Sequence, residues 1–170
     1  MVRVWICSSF CIALLVASPA AAQGGAACKP LSDAMLKAAT TPHHMQSTES
    51  GRPESGESIM TGDAFYFKYK GAWQKSPRTP ADQRRQEEEN IKTAKVYTCQ
   101  SLRTEAVNGV QTVVYKVHSE NETGKTDGLV WMAPSLGLPV RSEQDIDTMG
   151  PRMHMVTTWD YVNIKAPVVK

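Results

Sequence analysis

From Val96 to Asp160 the chain is a succession of apolar–polar alternations broken only by short turn signals, with no segment left over for a helical crossover. Strands joined in that way pair antiparallel with their sequence neighbours, because a parallel pair needs a connection of a dozen or more residues. The strongest local signal is Asn108-Gly109, a dipeptide suited to the positive φ angles of a tight hairpin, which joins Val96–Val107 to Val110–Ser119. In the second arm Val113, Tyr115 and Val117 point one way, and Thr112, Lys116 and His118 the other. After the polar turn Glu120–Lys125, the run Thr126–Ala133 carries Leu129 and Trp131 on one face. Pro134–Gly137 reverses the chain and Leu138–Ile146 runs back. A closing strand then sets Met153, Met155, Thr157, Trp159 and Tyr161 on one face, with His154, Thr158 and Asp160 on the other.

The earlier half adds more ribbon and two helices. His43–Glu49 reads as a polar strand, Ser50–Gly56 as turn chemistry, and Glu57–Ser76 as antiparallel strands reversing at Thr61-Gly62-Asp63 and Lys70-Gly71. Ser32 is a candidate N-cap for a short helix presenting Met35, Leu36 and Ala39, which ends at Thr40-Thr41-Pro42. Thr79 is the cap of a second helix, with Pro80 first in it and Asp82 in its first turn. Its body, Gln83–Lys95, is almost entirely polar, so it is expected to be a solvated helix or a lid, with Arg84 and Glu88 able to pair. The fold class expected is α+β, mainly β: a curved antiparallel sheet, an unclosed barrel of about eight strands, with two helices.

The N-terminus points to export. Arg3 precedes an apolar run, Val4–Val16, that falls short of the about 20 residues needed to span a bilayer. Ser18-Pro19 breaks it, and Ala20-Ala21-Ala22 supplies the small residues of a cleavage site. Residues 1–22 are therefore expected to be a signal peptide cleaved after Ala22, and 23–170 a single domain, periplasmic or secreted; a retained anchor is the alternative. Cleavage removes Cys7 and Cys11, and in an oxidising compartment the remaining Cys28 and Cys99 read as one disulfide. Lipidation of Cys28 is the competing reading, and it would leave Cys99 unpaired. Once Arg3 is taken from the 19 Lys and Arg, the remainder nearly balances 17 Asp and Glu, which speaks against a nucleic-acid binder.

Several constellations invite chemistry. His43-His44 suggests a metal, but adjacent strand residues diverge and no ligand stands at a zinc spacing. Met149, Met153, His154 and Met155 offer soft ligands for copper(I), set against the ordinary use of Met as adaptable core or pocket lining. Ser135 and Ser142 lack a nucleophile motif, and Glu87-Glu88-Glu89 reads as a solvated charge run. Asn121-Glu122-Thr123 matches a glycosylation sequon. An enzyme would require a cleft gathering His118 or His154 with acidic residues. The chain is expected to be non-enzymatic, with no catalytic residues, no metal and no cofactor.

Glu57–Pro77, the hairpin at Asn108-Gly109, Gly128–Arg141 (GLVWMAPSLGLPVR) and the closing Trp159–Ile164 resemble small periplasmic proteins of the LolA/LolB-like lipoprotein-carrier fold. The resemblance covers roughly the last two-thirds of the chain, and its motifs are loose. It implies an unclosed antiparallel barrel whose apolar concave face is covered by helices and holds acyl chains. The chain departs from that pattern in its short N-terminal half and its polar second helix, and no lid-contacting residue of the family can be matched to a position here.

Large apolar residues on the strands outnumber what two short helices can cover, and that mismatch fits a binder of greasy ligands. The expected ligand-binding face is Phe65, Phe67, Val113, Tyr115, Leu129, Trp131, Met153, Met155, Trp159 and Tyr161, with Tyr66 the alternative to its Phe neighbours if the register slips. The expected partner is an apolar or lipid-like small molecule or a lipoprotein acyl chain. The alternative is an envelope protein–protein interaction module with a fully packed sheet.

Overall fold

The computed structural model describes residues 25–52 and 56–169. The expected signal peptide, its cleavage site and Cys7 and Cys11 lie outside the described residues. In chain order the elements are α1 (Lys29–Ala38), β1 (His43–Glu49), β2 (Gly56–Met60), β3 (Phe65–Tyr69), β4 (Ala72–Lys75), α2 (Pro80–Thr93), β5 (Val96–Val107), β6 (Val110–Asn121), β7 (Gly124–Ala133), β8 (Leu138–Thr148) and β9 (Met153–Asp160). The strands form one antiparallel sheet in the order β4-β3-β2-β1-β9-β8-β7-β6-β5. The architecture is mainly β, an unclosed sheet with two helices, as the LolA/LolB-like resemblance implies.

The sheet is two meanders, β1–β4 and β5–β9, fused where β1 lies against β9 from His44 opposite Asp160 to Glu49 opposite Met155. Tight reversals occur where the backbone can turn left-handed: Asn108 has φ 50° and Gly109 φ 80°, and Lys70 and Gly71 repeat the pattern. β4 and β5 are the free edges, yet they are consecutive strands in the chain. At about 4.8 Å per strand a flat sheet would separate them by about 38 Å. The 14-residue α2 between them is about 21 Å long. Its short flanks could span the difference only if fully extended, so the sheet curls and α2 lies across the face it curls around.

The two helices begin differently, and only the second starts on the expected capping residue. Thr79 and Asp82 form a reciprocal capping box, in which each side chain accepts from the other's backbone N–H, with Pro80 inside the first turn. In α1, by contrast, the N-cap is Cys28, and Ser32, expected to cap, lies within the helix. Cys28 makes no side-chain cap; it is bonded to Cys99 on β5, with the Cα atoms 5.0 Å apart. The disulfide fixes the start of the helix where a hydroxyl cap would otherwise act. Below it Leu31 and Ala34 pack on Tyr115, Val130 and Met132, with Val113 and Val117 at the margin.

The bridge closes a loop with a sequence separation of 71. A Cys28→Ser/Cys99→Ser chain is expected to lose about 4 kcal/mol of unfolding free energy on the chain-entropy model. Urea denaturation with and without reductant measures this: reductant should lower the midpoint of the parent chain and leave that of the double variant unchanged.

Candidate functional site

The strand registers sort side chains onto two faces. Tyr115 pairs with Val130, Val130 with Ser142, Ser142 with Thr157 and Thr157 with Ser47, so these share a side. Continuing through Met45 opposite Trp159 and Ser58, and Ser58 opposite Phe67, the same side holds Phe65, Phe67, Met60, Met45, Trp159, Met155, Met153, Val113 and Tyr115. It is the side on which α1 packs. Seven of the ten residues expected to line the ligand face lie together here: Phe65, Phe67, Val113, Tyr115, Met153, Met155 and Trp159.

Two of the other three, Leu129 and Trp131, lie on the opposite side, and Tyr161 lies past the paired strand. Leu129 and Trp131 stand opposite Lys116 and Val114, so they project from the reverse face. There the Trp131 indole N–H donates to Glu105, and the Arg141 guanidinium lies 5.2 Å from the ring centroid. These contacts are structural: donation by the indole and by Arg103 draws the Glu105 carboxyl below its ordinary pKa. Leu129-Val130-Trp131-Met132 is apolar on both faces, so alternation could not tell which pair faced the helices. Tyr161 follows the end of β9; its hydroxyl donates to the Pro139 carbonyl at 2.6 Å, and its ring meets His43 edge-on.

The two halves of the helix-covered face differ. Under α1, Tyr115, Val130 and Met132 are buried. Toward β9 and β3, Met153, Met155, Trp159, Phe65 and Phe67 are all only half-buried. Between those strands and the helices lies a cavity of ≈ 190 Å³. Met45, Met60, Phe65 and Trp159 line it from the sheet, Met35, Ala38 and Ala39 from α1 and its C-cap, and Gln83 and Glu87 from α2; His43 completes it.

Glu87 is thus not a solvated member of the Glu87–Glu89 run. Pro80, Gln83, Glu87 and Ile91 recur at helical spacing and form the less exposed stripe of α2. That spacing was the available signal, hidden because its central members are polar. Burial pushes the Glu87 carboxyl above its ordinary pKa, and a hydrogen bond with Asn90 partly offsets the shift. Glu87 also adds to the rise that burial causes at the Tyr97 phenol, which hydrogen-bonds with Ser32. Burial lowers the His43 pKa, so the ring is neutral near pH 7, and its Nδ1 lies 2.8 Å from the Thr41 carbonyl as donor. The Ser58 hydroxyl, between Met45 and Phe67 on this face, is buried without a hydrogen-bond partner among the described residues.

The candidate metal ligands are dispersed, whereas His44, His118 and His154 pair with carboxylates. His43 and His44 diverge, as adjacent strand residues must; His44 meets Glu57 on the reverse face, where Lys68 also binds that carboxylate. Met149 is exposed beyond β8, Met153 and Met155 face the helices, and His154 turns away to Asp145. His118 pairs with Asp127 and Glu120 on the reverse face, and the hydrogen bond with Asp127 chiefly raises its pKa. Among the described residues no group of three or more His, Cys, Asp or Glu is placed to hold a metal ion. A wider cleft of ≈ 590 Å³ lies by the β5–β6 hairpin tip, where Val107 and Val110 meet Leu136, Val140 and the polar His44, Gln46 and Asp160. No helix among the described residues is long and apolar enough to cross a membrane.

No family model and no curated protein matches the chain. Among solved structures it is similar to the Mycobacterium tuberculosis lipoprotein LppX, at 12% identity and a TM-score of 0.48, over 81% of this chain and 97% of that one. It is also similar to LprF from Mycobacterium bovis, at 16% identity and a TM-score of 0.47, over 83% and 93% of the two chains.

The position of Glu87 has a pH signature. The unfolded carboxyl ionises near its ordinary 4.5, whereas the folded one keeps its proton to higher pH. Its burial therefore weakens the fold as pH rises through and above that window, and costs nothing below it. Glu87→Gln is expected to raise the Tm at pH 7 and to lose that advantage in acid below the ordinary Glu range, as followed by circular dichroism melts.

Proposed function

We propose that this chain is a non-enzymatic binding protein that holds an apolar or lipid-like ligand between its two helices and the sheet. The observation that carries the reading is the unequal covering of one face: α1 seals its half with apolar side chains, whereas beside the polar α2 Phe65 and Trp159 line a cavity and Phe67, Met153 and Met155 on the same face stay half-buried. A cavity of ≈ 190 Å³ is only slightly larger than the roughly 150 Å³ apolar void that stays dry and takes benzene. It receives one end of a ligand, and the rest lies along the stripe Trp159–Met155–Met153 on β9. Each methylene buried there contributes about 0.8 kcal/mol. About ten methylenes would then be needed to exceed the several kcal/mol lost on association.

In this reading the chain is cleaved after Ala22 and works as one exported domain, and the Cys28–Cys99 bridge supports an oxidising compartment. No reaction is required of it. The alternative, an envelope interaction module, finds its support in the wider cleft by the β5–β6 hairpin, where Leu136 and Val162 are exposed.

Fluorescence of N-phenyl-1-naphthylamine with the purified mature chain tests the proposal, alongside native mass spectrometry for co-purified lipid. Enhancement should be saturable, and Ala39→Trp, which fills the cavity mouth, should weaken it by about tenfold or more while the far-ultraviolet dichroism is kept. Leu129→Ala, on the reverse face, should leave it unchanged. A clean apo mass together with no probe uptake would reject the binding reading in favour of the interaction module.

A further inference from the structure

Resting on that reading, we infer that the cavity selects amphiphiles by charge: Glu87 at its α2 wall receives the ammonium group of a cationic amphiphile, and the site disfavours fatty carboxylates. Among the described residues that line the cavity, Glu87 is the one acidic side chain. His43 is buried and neutral, Gln83 is an amide, and no Lys or Arg is among the described residues that line the space. Among the described residues Glu87 forms no ion pair, in contrast to its helix neighbours, where Arg84 pairs with Glu88 and Arg85 with Asp82. The two cations nearest in sequence are thus already committed on the solvent side of α2.

A carboxylate that is partly desolvated and lacks a counter-ion gains more from an arriving cation than a hydrated one does. The same field repels an arriving carboxylate. Aromatic walls act in the same direction, because Trp159 and Phe65 line the cavity and ring faces attract ammonium groups. The expected ligand class is therefore a single-chain alkylammonium compound, its tail on the Met and Phe side chains of the sheet and its head beside Glu87. A charge-assisted hydrogen bond of this kind corresponds to about tenfold or more in affinity.

The test is displacement of N-phenyl-1-naphthylamine from the mature chain at neutral pH by decylammonium, decanol and decanoate, which share a chain length and differ in head group. Decylammonium should displace the probe at a concentration about tenfold or more below that of decanoate, with decanol between them. Glu87→Gln should remove the difference between the two ions, and Glu87→Lys should reverse it. Equal displacement by both ions in the parent chain, or a preference that survives both substitutions, would overturn charge selection while leaving apolar binding intact. Absence of probe uptake by the parent chain would overturn both.

Discussion

The pairing of β1 with β9 is the constraint from which the rest of the molecule follows. It joins the first strand of the described chain to the last, over the six residues His44–Glu49 against Met155–Asp160, and makes one sheet of two meanders. It also sets Met45 beside Trp159, so that residues more than a hundred positions apart form the floor of one cavity. With β1 held at the seam, α1 enters the sheet at its middle and can only lie across it. With β4 and β5 thrown to opposite edges, α2 must cross the same face to connect them. Closing a loop over such separations costs more chain entropy than any of the hairpins does.

The two helices complete that face in different chemistry. α1 offers Leu31 and Ala34 to Tyr115, Val130 and Met132, and a covalent bridge holds it there. α2 offers Gln83 and Glu87 to a region whose sheet side is Met45, Met60, Phe65 and Trp159. Polar groups over apolar ones cannot pack without loss, so the contact stays open and a cavity remains. The unpartnered Ser58 hydroxyl lies in the same half of the face. The hollow half is a property of the α2 sequence rather than of the sheet.

Much of this was legible before any coordinates. Val96–Val107 and its Asn108-Gly109 turn, the Thr79-Pro80-Asp82 helix start and the divergence of His43 from His44 all rest on local rules of turn, cap and strand geometry. The Cys28 to Cys99 pairing needed only a count of cysteines once export was assumed. What could not be read was whatever depends on which of two faces is covered. Leu129 and Trp131 sit in a run apolar on both sides, and only the register against Val114 and Lys116 assigns them to the reverse face. Glu87 escaped for the opposite reason: its type marks it as exposed, and only its spacing from Pro80, Gln83 and Ile91 marks it as inward.

Leaving the sheet unclosed has a cost elsewhere, since each rim of an open sheet is a row of free backbone donors and acceptors on which a foreign strand can grow. Here both rims are poor templates. β4 is four residues long and ends in exposed Gln74 and Lys75. The longer β5 is kinked by a bulge between Ser101 and Arg103, and its exposed middle carries Gln100 and Arg103. The open sheet is thereby a poor seed for fibres, and copies of the protein have little backbone on offer for joining edge to edge.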